Sequence, residues 1–299
     1  MRVNVPVEIA EHRVRLDGVE IAYLDTGEPA AGDSGADARP VLLLHGWPQD
    51  REIWQPVIER LAGSRRLIAP DLRGFGRSEA PGRGYDGPTF ALDQVRLLDH
   101  LGIERADLIA HDWGGWTAFL LGLDHSERVG SALICNAPHP WPRLGPRILS
   151  QLPRSWYAAT IATPGLGPAL LRHGSLVRFI ARHDGDTDTF SPAKVEEMVA
   201  AWQPAERAHA AHCLYRYYLR TFRHTALGGW RNRRIEAPVH LLFGRRDRMI
   251  TARLVDRGLA EHAGRATVEL VAGCGHFIVD RRPDLVADRA RALFGATRR

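Results

Sequence analysis

Short apolar runs separated by polar loops recur along the chain, and they predict the strands of a sheet. The run at residues 41–44 is uninterrupted, as is typical of a strand buried on both faces. The predicted strands span residues 41–44, 66–70, 106–111, 129–135, 239–243 and 266–271. Nearer the N-terminus, residues 13–16 and 19–24 flank Asp17-Gly18, a pair that favours the turn of a β-hairpin.

Segments with the apolar spacing of helices lie between these strands. They span residues 53–61, 91–101, 117–123, 252–262 and 283–294. Strands that alternate with helices in this way predict the α/β class, with a doubly wound, mostly parallel sheet flanked by helices.

This alternation stops after residue 138 and resumes at residue 235. Between these points the pattern predicts helices and no convincing strand, with helical stretches at residues 148–160, 168–182, 192–202 and 205–224. We therefore predict a core domain formed by residues 1–138 and 235–299, with a helical cap inserted at residues 139–234. Such an insertion is expected to fold over the carboxyl edge of the sheet, where open α/β sheets bind ligands.

Composition narrows the classes of partner. The chain has 299 residues, 44% of them hydrophobic, which is ample for one large α/β domain or two modest ones. The net charge is +5, but acidic residues are interspersed with the arginines and no dense basic run extends beyond residues 231–234 and 298–299, so we expect no nucleic-acid partner. Cys135, Cys213 and Cys274 are widely spaced and indicate neither a disulfide framework nor a zinc site.

The N-terminal residues 1–11 lack the apolar segment of a signal peptide. No apolar stretch approaches the length of a membrane span either. The protein is therefore expected to be cytoplasmic, with no membrane partner, and the sequence leaves its oligomeric state open.

The run Leu108-Ile109-Ala110-His111-Asp112-Trp113-Gly114-Gly115 joins a buried strand, a sharp turn through small residues and the start of a helix. This is the setting of a nucleophile elbow, in which a strained turn lifts one side chain above the sheet. The elbow usually carries serine, but here the exposed position is Asp112. A carboxylate is already ionised at neutral pH and suits attack on a saturated carbon, which leaves an alkyl ester on the enzyme. Taken alone, Asp112 could instead be a helix N-cap, which aspartate also favours.

Two further candidate residues follow strands in the second half of the core. Asp247 comes after the strand at 239–243, and His276 comes after the strand at 266–271. Because the carboxyl ends of parallel strands meet at one edge of a sheet, we expect both residues to converge on Asp112, in the nucleophile–acid–histidine order of α/β-hydrolases. Singly, Asp247 fits a loop or capping aspartate and His276 fits a partly buried loop histidine, but their shared order and position favour a triad.

Chemistry gives each of these residues a role. His276 would draw a proton from water attacking the Asp112 ester, and Asp247 would orient the imidazole and stabilise its charged form. The oxyanion formed on the Asp112 side chain needs donors, and the backbone N–H groups of Trp47 and Trp113 are the candidates. Both indole rings could also be apolar walls of the pocket. No cofactor or metal is expected, since nucleophile, base and acid are all protein side chains.

Several motifs of the chain resemble those of the α/β-hydrolase epoxide hydrolases, of which haloalkane dehalogenases are close cousins. They are His45-Gly46-Trp47-Pro48, Asp71-Leu72-Arg73-Gly74-Phe75-Gly76-Arg77-Ser78, His111-Asp112-Trp113-Gly114-Gly115, Gly244-Arg245-Arg246-Asp247 and Gly275-His276-Phe277. The likeness extends from the first hairpin to the last helix. It implies an α/β-hydrolase fold and hydrolysis of a small apolar epoxide by water to a vicinal diol. The side chains expected to bind that substrate are Trp47, Trp113, Trp141 and Phe277.

The resemblance also implies two cap tyrosines that donate hydrogen bonds to the epoxide oxygen. In the family, one precedes a Pro-Gly pair by seven positions and the other directly precedes an arginine. Tyr157 stands seven positions before Pro164-Gly165, and Tyr215 stands directly before an arginine. A phenol is neutral at pH 7 and is a good donor for an alkoxide leaving group. Tyr157 could instead be a packing residue, and Tyr217 or Tyr218 could supply the second hydroxyl.

A haloalkane dehalogenase with the same Asp112 nucleophile is the alternative function. Such enzymes bind halide with donors that could include the Trp113 indole, and their second donor commonly comes from a cap tryptophan or from an asparagine just after His-Gly. Position 47 is tryptophan, which leaves the cap candidates Trp141, Trp156 and Trp202. Fluoroacetate dehalogenases carry an arginine after the nucleophile to hold the substrate carboxylate, so Trp113 disfavours an acid substrate. A ligand-binding protein of this fold without turnover is disfavoured by the intact triad.

Overall fold

Eight strands form one sheet at the centre of the computed structural model, which describes residues 9–29, 38–142, 151–183, 186, 188–255 and 258–296. The strands are β1 (Ala10–Leu16), β2 (Val19–Asp25), β3 (Val41–Leu44), β4 (Leu67–Pro70), β5 (Ala106–His111), β6 (Val129–Cys135), β7 (Val239–Gly244) and β8 (Ala266–Val271). Their spatial order is β1-β2-β4-β3-β5-β6-β7-β8. β2 pairs antiparallel with both β1 and β4, and every other neighbouring pair is parallel. The predicted mostly parallel sheet is confirmed.

Helices cover both faces of this sheet and form the segment between β6 and β7. They are α1 (Gln55–Leu61), α2 (Gly87–His100), α3 (Trp113–Asp124), α4 (Trp156–Ala162), α5 (Leu166–His173), α6 (Ser175–Arg182), α7 (Pro192–Trp202), α8 (Ala205–Ala226), α9 (Gly258–His262), α10 (Ile278–Arg281) and α11 (Pro283–Ala296). Short 3-10 turns cover Arg51–Trp54, Ser126–Arg128, Leu152–Ser155 and Ala252–Leu254.

The side chains of β3 show why both faces need a cover. Because successive residues of a strand point to opposite faces, Leu42 and Leu44 join the core beneath α2 and α3, whereas Val41 and Leu43 join the core beneath α1 and α11. All four residues are fully buried. An uninterrupted apolar run is therefore what this position in the sheet requires.

The helices differ from the predicted segments where a local residue starts or ends them. Residues 168–182 form two helices, since Gly174 adopts a left-handed φ of 80° and ends α5. α2 begins earlier than predicted, because the Asp86 side chain caps it by accepting the Thr89 N–H at 2.9 Å. α3 begins at Trp113, directly after the elbow.

Two predicted helices include residues outside the described part of the chain. In the segment 148–160 these are residues 148–150, and the rest forms a 3-10 turn followed by α4. In the segment 252–262 they are residues 256–257. The remainder of that segment is a 3-10 turn and the short helix α9, which starts at Gly258, a weak helix former.

Helices and no strand occur among the described residues of the segment 139–234. α8, with 22 residues, is about 33 Å long and packs against α4 and α5. On α8 the ring of Tyr215 lies 5.4 Å from that of Trp47, which follows β3, and 5.7 Å from that of Trp113, which follows β5. The segment thus lies against the carboxyl edge of the sheet. Within the described part of the chain, no helix combines the length and apolarity needed to cross a bilayer.

Candidate active site

Asp112 occupies a strained turn between β5 and α3. Its φ of 51° and ψ of −114° are unusual for a residue other than glycine. The glycines that follow make the turn possible, since a Cβ on Gly114 would overlap the Leu44 carbonyl and one on Gly115 would overlap the Ala137 side chain. The Asp112 side chain makes no helix-capping hydrogen bond. The N-cap alternative therefore does not describe this residue.

His276 lies between two carboxylates. Its Nδ1 is 2.8 Å from Oδ2 of Asp247, and its Nε2 is 3.5 Å from Oδ2 of Asp112. The Asp247 side chain is completely buried, whereas 14% of the Asp112 side-chain surface is exposed. The structure thus brings the three predicted residues together, with only the predicted nucleophile open to a ligand.

Asn136 fixes the position of Asp247, and the sequence reasoning missed it. Its amide Nδ2 donates to Oδ2 of Asp247 at 2.7 Å, and its Oδ1 accepts the Gly244 N–H at 3.2 Å. The backbone N–H groups of Met249 and Ile250 donate to the other carboxylate oxygen, each at 2.8 Å. Asn136 has a φ of 45°, a conformation that asparagine tolerates better than most residues. An asparagine directly after a buried strand was the available signal.

His111 supports the histidine loop from the opposite side. Its Nε2–H donates to the backbone carbonyl of His276 at 3.0 Å. Complete burial lowers the pKa of His111 to about 4, so the ring is neutral at physiological pH. This residue was part of the elbow motif but was given no role from the sequence.

The Asp112 carboxylate accepts hydrogen bonds from the two backbone N–H groups predicted to form the oxyanion hole. The Trp47 N–H donates to Oδ1 of Asp112 at 2.9 Å, and the Trp113 N–H also bonds this side chain. The peptide before Trp47 approaches so closely that a Cβ on Gly46 would overlap the Asp112 side chain. These donors are positioned to hold a negative charge on the carboxyl group.

Charges in the site are strongly coupled. Burial opposes ionisation of Asp112, but the hydrogen bond and charge of His276 outweigh burial and keep the pKa of Asp112 below its ordinary value. Burial likewise opposes the imidazolium, yet Asp247 and Asp112 raise the pKa of His276 well above its ordinary value. The free site therefore holds a carboxylate beside a readily protonated imidazole.

Tyr157 and Tyr215 meet beside this carboxylate. Their rings lie 5.9 Å apart, and both residues line the same cavity as Asp112. Burial and nearby acidic groups raise the pKa of each phenol well above its ordinary value, so both stay protonated. The Trp113 indole also hydrogen-bonds the Tyr215 hydroxyl. Because an indole can only donate, that hydroxyl oxygen accepts and its proton remains available.

The neighbouring tyrosines have other partners. The Tyr217 hydroxyl accepts the Trp116 indole N–H at 3.4 Å, and the Tyr218 hydroxyl lies 3.4 Å from the Ser155 hydroxyl. Both residues line the cavity. Tyr215 differs from them in position, because its ring packs against both Trp47 and Trp113, whose backbone N–H groups bond the Asp112 carboxylate.

A largely apolar cavity of about 80 Å³ opens above Asp112. This volume holds several water molecules or a small organic molecule. Its lining includes apolar side chains such as Phe222, Ile250 and Leu254. Asp112 is the sole acidic residue among the described lining residues, which include no lysine or arginine. The cavity is thus suited to a small uncharged ligand.

Trp141, Phe277 and the Trp47 ring, all predicted to bind substrate, lie behind the described lining of the cavity. Trp141 stacks on His262 with ring centroids 5.0 Å apart, and its indole donates to the Trp230 carbonyl at 2.9 Å. Phe277 is fully buried, with its ring 5.1 Å from that of His276. None of these three rings is among the described residues that line the cavity, and their contact with a substrate stays a prediction.

A metal site has no candidate among the described residues, where no group of three or more His, Cys, Asp or Glu side chains is arranged to hold an ion.

The chain is similar to known proteins both in sequence and in structure. The sequence profile of the α/β hydrolase fold matches residues 39–283. A soluble epoxide hydrolase of Corynebacterium sp. strain C12 is 39% identical over 129 residues, which are 43% of this chain and only 42% of that protein. A fluoroacetate dehalogenase of Burkholderia sp. is 28% identical over 292 residues, 93% of each chain. The solved structure of the epoxide hydrolase CorEH covers 97% of this chain and 99% of its own, with a TM-score of 0.81 and 26% identity.

Proposed function

The chain belongs to the α/β-hydrolase fold family, and we propose that it hydrolyses small apolar epoxides to vicinal diols. The proposed reaction has two steps, formation of an ester on Asp112 and hydrolysis of that ester by water. The epoxide hydrolases similar to this chain in sequence and in structure support this activity.

The surroundings of the Asp112 carboxylate carry the proposal. One oxygen accepts the Trp47 N–H and the other faces His276, while Tyr157 and Tyr215 line the cavity above. A nucleophile and two proton donors thus line one small space, and a base faces the nucleophile from beneath it. This is the set of groups that epoxide opening followed by ester hydrolysis requires.

In the first step, Oδ2 of Asp112 attacks a ring carbon of the epoxide and the carbon–oxygen bond of the ring breaks. The departing alkoxide receives a hydrogen bond from each of Tyr157 and Tyr215 and takes a proton from one of them. The raised pKa of each phenol keeps that proton in place until an alkoxide, a much stronger base, forms.

In the second step, His276 takes a proton from water, which attacks the carboxyl carbon of the Asp112 ester. The Trp47 and Trp113 N–H groups stabilise the oxyanion. Collapse breaks the ester bond, and the imidazolium protonates the departing alkoxide of the diol. The second proton of the water leaves as the carboxylate re-forms and restores the phenol.

The pKa of His276 fits this order of events. In the free site, the charges of Asp247 and Asp112 raise the pKa of His276 and favour imidazolium. Esterification neutralises Asp112 and removes one of these charges. The pKa of His276 then falls, the imidazolium releases its proton to solvent, and the neutral ring is a base at the stage where a base is needed.

We also infer the domain division from this arrangement. Residues 1–138 and 235–299 form the core that supplies Asp112, Asp247 and His276, and residues 139–234 form the cap that supplies both tyrosines. Contacts of Tyr215 with Trp47 and Trp113 join the two parts.

Dehalogenation is the second candidate function, because the chain is similar over most of its length to a fluoroacetate dehalogenase. Halide binding needs two free donors, but among the indoles predicted for this role that of Trp113 bonds Tyr215 and that of Trp202 donates to the Pro48 carbonyl at 2.8 Å. The Trp141 indole is also bonded, and Trp156 is 46% exposed. No basic side chain among the described lining residues would hold a substrate carboxylate. These observations favour the epoxide.

Trapping the ester tests the proposal. A His276→Gln variant should form the ester but hydrolyse it slowly, so intact-mass analysis after mixing with a small terminal epoxide should show the protein plus the whole epoxide. Mixed with a chloroalkane or fluoroacetate, a dehalogenase would gain the organic group without its halogen. Unmodified protein with every probe would exclude the covalent mechanism.

A further inference from the structure

His45 is fully buried beside the Trp47 peptide and is not among the described residues that line the cavity. Its Nε2 lies 3.0 Å from the Leu72 nitrogen, and its Nδ1 lies 3.2 Å from the Gly46 carbonyl oxygen. A backbone N–H can only donate and a carbonyl can only accept. A single neutral tautomer satisfies both contacts, with the proton on Nδ1 and a lone pair on Nε2.

The surroundings of the ring favour this neutral tautomer. Asp71 is 3.8 Å from Nε2, beyond hydrogen-bond distance, and its two oxygens accept the backbone N–H groups of Arg51 and Arg77 at 2.9 and 2.8 Å. Burial lowers the pKa of His45. A proton on Nε2 would also face the Leu72 N–H.

The Gly46 carbonyl and the Trp47 N–H belong to one rigid, planar peptide unit and point in opposite directions. The carbonyl accepts from His45 Nδ1 and from the Gln49 N–H, the latter at 3.0 Å. The N–H donates to Oδ1 of Asp112 at 2.9 Å. Because the plane is rigid, a bond that fixes the carbonyl also fixes the direction of the N–H. Hydrogen bonding to the carbonyl further polarises the N–H as a donor.

We propose that His45 is a positioning residue that aims the Trp47 N–H at the oxyanion of the Asp112 ester through its Nδ1–H bond to the Gly46 carbonyl. This inference rests on the proposed function, because the oxyanion arises only when the ester is hydrolysed. His45 should therefore control the second step far more than the first.

Two amide substitutions separate the contacts of the ring. Asparagine places its side-chain amide near the position of Nδ1 and can still donate to the Gly46 carbonyl. Glutamine places its amide near the position of Nε2 and can still accept the Leu72 N–H. Both are neutral and polar, so each variant is the matched control of the other.

The test measures ester formation and ester hydrolysis separately, by rapid-quench mass analysis with a small terminal epoxide. His45→Gln should slow hydrolysis by about tenfold or more, a fraction of the loss seen when an oxyanion donor is removed. The ester should accumulate, kcat and KM should fall together, and kcat/KM, which reports the first step, should change little. His45→Asn should hydrolyse the ester several times faster than His45→Gln.

Equal hydrolysis rates in the two variants, or a fall in kcat/KM as large as the fall in kcat, would overturn the role of His45. Absence of any ester in the wild-type protein and in His276→Gln would instead overturn the proposed function. Nitrogen NMR of the wild-type ring gives a check that needs no variant. A protonated Nδ1 on His45 supports the proposal, and a protonated Nε2 contradicts it.

Discussion

The side-chain amide of Asn136 lies 2.7 Å from Oδ2 of Asp247, the same oxygen that faces Nδ1 of His276. The Met249 and Ile250 N–H groups hold the other oxygen. The predicted triad acid therefore cannot turn without breaking bonds on both sides. Asn136 directly follows β6, and Asp247 follows the neighbouring strand β7. The pairing of these two strands therefore keeps the amide of Asn136 beside the carboxylate of Asp247.

Replacing Asn136 should weaken the second step. Asn136→Ala loses the bond to a charged carboxylate, worth about 2 kcal/mol, so ester hydrolysis should slow by about tenfold or more. Asn136→Gly is the matched control, because glycine accepts the φ of 45° without strain. Rapid-quench kinetics should show the two variants equally slow, whereas urea unfolding should show Asn136→Gly to be the more stable. Recovery of hydrolysis in Asn136→Gly would assign the effect to backbone strain.

The charge of Asp112 should be visible in the titration of His276. The pKa of His276 is raised in the folded protein, so Asp112→Ala should lower it, which an NMR titration can measure. The raised pKa of His276 also adds to the free energy of unfolding, and the pH dependence of this contribution has a defined direction. It is fully present below the ordinary histidine pKa of 6.5 and is lost as pH rises through the higher folded value. In Asp112→Ala the loss should be smaller and complete at lower pH, and an identical pKa in both proteins would contradict the coupling.

The tyrosines should affect only ring opening. Tyr157→Phe and Tyr215→Phe each remove one donor to the alkoxide, which costs on the order of 3 kcal/mol, roughly a hundredfold in rate. Ester formation measured by rapid quench should slow accordingly, and hydrolysis of the ester should not. Tyr217→Phe is the matched control, because Tyr217 lines the same cavity but contacts Trp116 instead of the Trp47 and Trp113 rings beside Asp112. If both single variants keep full epoxide turnover, Tyr157 and Tyr215 are packing residues.

The source of oxygen distinguishes two ways of using Asp112. In a single turnover in heavy-oxygen water, label should enter the Asp112 carboxylate, because water attacks the carboxyl carbon of the ester. Peptide mass analysis of the recovered protein detects it. Label found only in the diol would mean that water attacks the epoxide directly and that Asp112 acts as a base.

The sequence alone predicted the sheet and the residues at its carboxyl edge. Buried strands such as Val41–Leu44 need apolar residues on both faces, so the consecutive residues of the strand themselves reveal it. Asp112, Asp247 and His276 each follow one of the parallel strands, so their meeting followed from the geometry of a parallel sheet. The glycines after Asp112 marked the turn, because only small residues fit where β5 and α3 meet.

Tertiary structure decided which side chains face the cavity. Tyr215, Tyr217 and Tyr218 are alike in sequence, and only their packing partners, Trp113, Trp116 and Ser155, distinguish their hydroxyls. The same holds for Trp141, which packing turns toward Trp230. Asn136 and His45 act through bonds to segments distant in the chain. The direction of a side chain depends on such distant segments, whereas the periodicity of strands and helices depends on neighbours in sequence.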